Sequence, residues 1–181
     1  MKSRVPFLAV VLTFAASTAG AADCAALLAE RSRSDLSLPF ETFDQDMKAG
    51  WRALERLGCP AEAATLIERY ALQYELRLRG LRWHSAQMHA LAGNIEAALA
   101  AAQASVNAEQ ASQHPDFDWN DYVYATIAFL RSDKAAFERH RVALEGATSK
   151  EPLNHANMLA VERLASCFGR PYKEAYSCNA P

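Results

Sequence analysis

The chain has 181 residues, 51% of them apolar and 22% charged, with only seven Gly and seven Pro, which excludes a disordered or collagen-like protein. Ala occupies 37 positions, and beyond Ala22 only seven residues are Val or Ile, so sheet-building residues are scarce and an all-α fold is expected. The formal net charge is −2 without a basic block, which argues against nucleic acid and anionic membrane surfaces as partners.

The chain opens on Met1-Lys2-Ser3-Arg4, runs through an apolar stretch at 5–16 and ends in small residues at 17–22 before Asp23. This is the pattern of a secretory signal peptide cleaved after Ala21 or Ala22. Its apolar middle of about 12 residues is short of the roughly 20 needed to cross a bilayer. Asp23 stands where lipidation of Cys24 would need a small residue. Cleavage leaves 23–181 as a single helical domain of net charge −4, periplasmic or secreted, with no membrane association. All four cysteines survive, and an even number in an exported chain reads as two disulfides.

Apolar spacing then gives a succession of helices. A short piece is expected at 25–33. Phe40, Phe43, Met47, Trp51, Leu54 and Leu57 mark one continuous helix over 41–57, stopped by Gly58. Pro60 opens the next as a first-turn proline, with Ala63, Ile67, Tyr70 and Tyr74 on its stripe. Leu81, Ser85, Met88 and Leu91 form a third, ended by Gly93. Asn94 caps a fourth, with Ile95, Leu99, Ala102 and Val106 inward. After a loop at 112–117, Asp118 caps a fifth helix and Asp133 a sixth, which carries Ala136, Phe137, His140 and Leu144 and stops at Gly146. Pro152 opens a seventh along Ala156, Ala160, Leu164 and Cys167, and a last short piece covers 171–176.

The helices recur. Glu62-Ala63-Ala64 returns after 34 residues as Glu96-Ala97-Ala98, and after 38 more as Lys134-Ala135-Ala136, the extra length falling in the 112–117 loop. Two helices per 34 residues is the period of the tetratricopeptide repeat. Residues 41–146 resemble three degenerate repeats of that family, best seen in Leu91-Ala92-Gly93-Asn94-Ile95-Glu96-Ala97-Ala98-Leu99, although its Trp-x-x-Leu-Gly-x-x-Tyr signature is missing. In this layout the 25–33 piece, returning beside the first long helix, brings Cys24 to Cys59. A reversal at Gly169-Arg170-Pro171 brings Cys178 to Cys167, so a bridge clamps each end of the stack.

The resemblance implies a concave groove lined by the first helix of each hairpin: Asp46, Ala49, Ala53 and Arg56; Gly80, Trp83, Gln87 and Ala90; Asp118, Asp121, Ala125 and Ala128. Trp83 is its expected anchor, and Asp46, Asp118 and Asp121 would favour a cationic protein or peptide partner. Small residues packing helix against helix explain the same alanines. Phe117 and Trp119, in the inserted loop, are further contact candidates.

Metal chemistry is weakly signalled. His84 and Met88 share a helical face, but His89 points elsewhere. The run 116–121 resembles the start of a calcium loop, yet Asp121 replaces its Gly and Ile127 its closing Glu, so a helix start explains it better. No G-x-S-x-G, H-E-x-x-H, phosphate-binding glycine loop or haem motif occurs. The expectation is therefore an exported protein-binding module without metal, cofactor or catalytic residues; a small-ligand or metal-binding helical protein is the alternative, and an enzyme the third.

Overall fold

The computed structural model describes residues 23–76 and 78–180, so the expected signal peptide lies outside the described residues. Helices make up the regular structure, and no strand occurs among the described residues. Helix α1 (Cys24–Ser34) starts on an Asp23 carboxylate that accepts the Ala26 N–H.

The expected continuous helix over 41–57 is instead two, α2 (Phe40–Gln45) and α3 (Gly50–Arg56). The break has a steric cause. Gly50 has φ +56°, and a Cβ there would lie 2.0 Å from the Phe43 carbonyl oxygen. Gly50 lets the backbone pass this close, and the buried Asp35 carboxylate holds the bend by accepting the Gly50 N–H at 2.8 Å. Phe43, Trp51 and Leu54 turn inward, while Met47, placed in the same stripe by spacing alone, is 46% exposed at the corner.

The next elements follow expectation closely. Helix α4 (Pro60–Gln73) has its proline in the first turn, and α5 (Arg79–Leu91) is followed by Gly93 at φ +81°. Helix α6 (Ile95–Ala104) starts at Asn94, though without a side-chain cap bond. A short α7 (Gln110–Gln113) precedes the 112–117 loop and reaches into it. Asp118 and Asp133 cap α8 (Trp119–Leu130) and α9 (Lys134–Ala147) by accepting the Asp121 and Ala136 N–H groups. Gly146 does not stop α9 but lies inside it.

Helix α10 (Pro152–Ser166) begins as expected, yet its buried stripe is Asn154, Met158, Val161 and Leu164, rotated from the Ala156–Ala160 register. Alanine carries too little apolar area to choose a face against Met and Val. Helix α11 (Tyr172–Ala175) is the last helix among the described residues.

Successive helices pack as antiparallel neighbours: α3 on α4, α4 on α5, α5 on α6, α8 on α9 and α9 on α10. Two cores result. Phe43, Trp51, Leu54, Leu66 and Ile67 form one; Val123, Phe129, Phe137, Leu144, Val161 and Leu164 form the other. Helix α5 joins them, since Leu81 and Met88 face the first while Trp83, Ala86 and Ala90 face the second. Disulfides Cys24–Cys59 and Cys167–Cys178 close the two ends. Among the described residues no helix is long and apolar enough to cross a membrane.

Candidate binding cleft

The face of α5 and α8 expected to line a groove divides into a covered part and an open part. Trp83 is only 3% exposed, held edge-on between Trp119 and Tyr122. Ala53, Ala90, Ala125 and Ala128 are buried. Gln87 is half-buried, and its amide donates to the Tyr122 and Tyr176 hydroxyls at 3.4 and 3.5 Å. The cover is the C-terminal segment: α10 packs on α8, and α11 on α5. Burial, reinforced by the neighbouring phenol Tyr176, raises the Tyr122 hydroxyl far above its ordinary value. Trp83 is therefore part of the core here, not an accessible anchor.

The acidic positions do not form one surface either. Asp46 and Arg56 are exposed, Asp46 accepting the Lys48 N–H at 2.8 Å. The Asp118 carboxylate accepts from the Asp121 N–H and from the Gln110 amide, as a helix cap does. Asp121 lies 2.6 Å from His140 Nδ1. Burial and the neighbouring Asp118 raise the Asp121 carboxyl above its ordinary range despite the opposing histidine. These partners make 116–121 a helix entry, not a cation loop.

What stays open is a cleft of about 520 Å³ at the N-terminal ends of α5 and α8. Its apolar walls are Phe40, Leu78, Phe117 and Trp119, with Gly80 leaving room at the start of α5. Phe40 and Leu78 are the more exposed anchors, at 39% and 42%. Arg79, Asn107 and His114 supply the polar rim, and no carboxylate is among the lining residues. The cleft thus presents neutral or basic groups around an apolar floor, the reverse of the acidic bias expected from Asp46, Asp118 and Asp121.

Three asparagines give the cleft its shape. The Asn107 N–H donates to Asn120 Oδ1, and Asn120 Nδ2 donates back to the Asn107 carbonyl, both at 2.8 Å. Trp119 Nε1 donates to the Ser105 carbonyl at 2.7 Å, which fixes the indole against the wall. Behind the loop, fully buried Asn154 accepts the Asp118 N–H at 2.8 Å and donates to the carbonyls of Asp116 and Ala147. The inserted loop is therefore tied to α8 and α10 by side-chain amides that replace missing backbone partners. Phe117 and Trp119 were legible as contact candidates. Asn107, Asn120 and Asn154 were not, although the four-residue excess over the 34-residue spacing marks where such ties are needed.

The histidines of 82–89 have partners that do not converge. His84 Nδ1 lies 2.9 Å from Asp44 and His89 Nε2 2.7 Å from Glu68, while Met88 belongs to the first core. Cys24, Cys59 and Glu62 bring three possible ligand atoms together, but the two sulfurs are joined to each other and offer no thiolate. Comparison with protein-family models, curated proteins and solved structures finds no match. The described residues form a helical, doubly bridged stack with an aromatic-lined cleft beside a partly covered helix face.

Proposed function

We propose that this is an exported protein-binding module, an adaptor, assembly factor or inhibitor, that takes an apolar segment of a partner into the cleft between α5, α7 and α8. The observation that carries this reading is the open apolar lining of Phe40, Leu78, Phe117 and Trp119, three of them aromatic, prepared in advance by the asparagine ties. Preorganised aromatic pockets suit hot-spot binding because little side-chain entropy remains to be lost. Arg79 and His114 at the rim favour an apolar anchor with an acidic neighbour. The 34-residue recurrence and the neighbour-on-neighbour packing support a tetratricopeptide-like origin for the stack, and the two disulfides support an oxidising, periplasmic or extracellular setting.

Peptide selection on the immobilised full chain tests the proposal. Selected sequences are expected to share a large apolar residue beside an acid. Leu78→Asp or Phe117→Ala should weaken them at least about tenfold, equivalent to about 1.4 kcal/mol, with little change in unfolding midpoint. Retention by both variants would reject the cleft as the binding site. A second reading rests on volume: about 520 Å³ also suits a small apolar molecule. A thermal-shift scan in which such a compound stabilises wild type but not Leu78→Asp would favour it.

A further inference from the structure

A small surface pocket of about 100 Å³ lies where α3, α5 and the α11 segment meet, and it shares no lining residue with the cleft. Buried Trp51 and Met88 give it apolar walls. Its half-buried polar side chains are of two kinds. On the donor side, Arg52 Nε donates to the Asp44 carbonyl at 2.6 Å, and the guanidinium lies 4.2 Å over the Trp51 ring. The group is thereby held in place, yet among the described residues no protein group accepts from its terminal nitrogens. The Tyr176 hydroxyl accepts the Gln87 amide at 3.5 Å, and among the described residues nothing accepts its own proton. On the acceptor side, His84 Nδ1 lies 2.9 Å from the Asp44 carboxylate. A carboxylate there takes the Nδ1 proton in its hydrogen bond, which leaves Nε2 of the neutral ring as an acceptor. Glu55 lines the same pocket, and among the described residues its carboxylate has no cationic partner. Arg52 and Glu55 stand at i and i+3 on α3, where opposite charges ordinarily pair with each other. Here the cation is drawn to Asp44 and Trp51 instead, so the pocket keeps one charge of each sign apart from the other.

We propose that this pocket binds a small zwitterionic amino acid, of the size of glycine or alanine, with its carboxylate taken by Arg52 and Tyr176 and its ammonium by Glu55 and His84. Such a guest supplies an acceptor for each donor and a donor for each acceptor, which a simple anion or a simple cation does not. Charge-assisted hydrogen bonds of this kind are the strong ones, and half-burial limits their screening. The size also fits. A cavity of about 150 Å³ holds benzene, so a pocket of about 100 Å³ takes a smaller molecule. Any short side chain would lie against Trp51 and Met88. The site is distinct from the open cleft, and its binding does not rest on the cleft's.

Titration of the isotope-labelled full chain with glycine and L-alanine, followed by NMR at the His84 ring nitrogens and the Arg52 side chain, tests the proposal. Both resonances should shift and saturate at millimolar amino acid or below, while His114 in the cleft stays unmoved. Acetate and methylammonium, which each carry one of the two charges, should bind at least about tenfold more weakly than L-alanine. Arg52→Gln and Glu55→Gln should each weaken L-alanine by a similar factor, and Leu78→Asp in the cleft should leave it unchanged. Glu55 holds no other charged side chain, so Glu55→Gln decides if Arg52→Gln lowers the unfolding midpoint. No saturable shift with either amino acid would overturn the proposal. So would acetate binding as tightly as L-alanine, undiminished binding to Glu55→Gln, or loss of binding in Leu78→Asp.

Discussion

Asp44 shows how much one buried side chain organises. Its carboxylate takes the Trp51 indole N–H at 3.1 Å, the Gln45 amide at 2.5 Å and His84 Nδ1 at 2.9 Å, joining α2, α3 and α5. Burial alone would raise its carboxyl; the hydrogen bond and charge of His84, helped by Trp51 and Gln45, outweigh that and hold it below its ordinary value of 3.8. A carboxyl depressed in the folded state stabilises fully above its unfolded value and loses that contribution as pH falls through the lower folded one. Asp44→Ala should therefore cost about 2 to 3 kcal/mol at pH 7, because it strands buried donors. Asp44→Asn keeps an acceptor and should cost less, and both costs relative to wild type should shrink as pH falls below about 4, where wild type itself loses the carboxylate. Urea unfolding of the three chains at pH 7 and pH 3 measures this, and costs that do not change with pH would show that the ionised carboxylate is not what matters. None of this was legible in the sequence. Asp44 and His84 are 40 residues apart, and no local pattern announces a contact that only the folding of α2 against α5 creates.

Helices and their ends were readable where the signal is local and chemical. Pro60, Pro152, Asp118 and Asp133 act where first-turn prolines and caps were expected, because those roles depend on nearest neighbours. The corner at Gly50 was hidden, since apolar spacing across 40–57 fits one long helix and the glycine's close approach to Phe43 is tertiary. Two glycines separate these cases experimentally. Gly50→Ala should destabilise by more than about 2 kcal/mol, since its Cβ meets the Phe43 carbonyl and its φ is positive. Gly146→Ala, in open space inside α9, should stabilise by about 0.5 to 1 kcal/mol. Equal effects in thermal melts would refute the corner. At the loop, Asn154→Ala should cost about 2 to 3 kcal/mol and speed exchange of the Asp118 amide; unchanged exchange there would mean the loop is held by other means.

At the scale of the molecule, stability is arranged from the ends inward. Each bridge closes a terminal piece onto a stack whose outer units have one neighbour, not two. Removing Cys24–Cys59, which spans 35 residues, should cost about 3 to 4 kcal/mol and expose α1 first. Hydrogen exchange after full reduction should show α1 and α11 fraying before α5 and α8, and uniform loss of protection would contradict that order. The helical stack and both bridges were readable, because periodicity and loop reach are properties of the chain. The burial of Trp83 between Trp119 and Tyr122 was not, because a family-like groove says nothing about how this chain's own side chains fill it. The open cleft at 78–80 and 117–119 is the part of that face left uncovered. Site-specific photocrosslinking from position 117 in the cell that makes the protein, with the exposed Leu159 on α10 as control, tests the proposed binding role most directly. A discrete adduct from position 117, absent from 159 and lost on adding Leu78→Asp, is the predicted result; no adduct at 117, or one unaffected by Leu78→Asp, would contradict it.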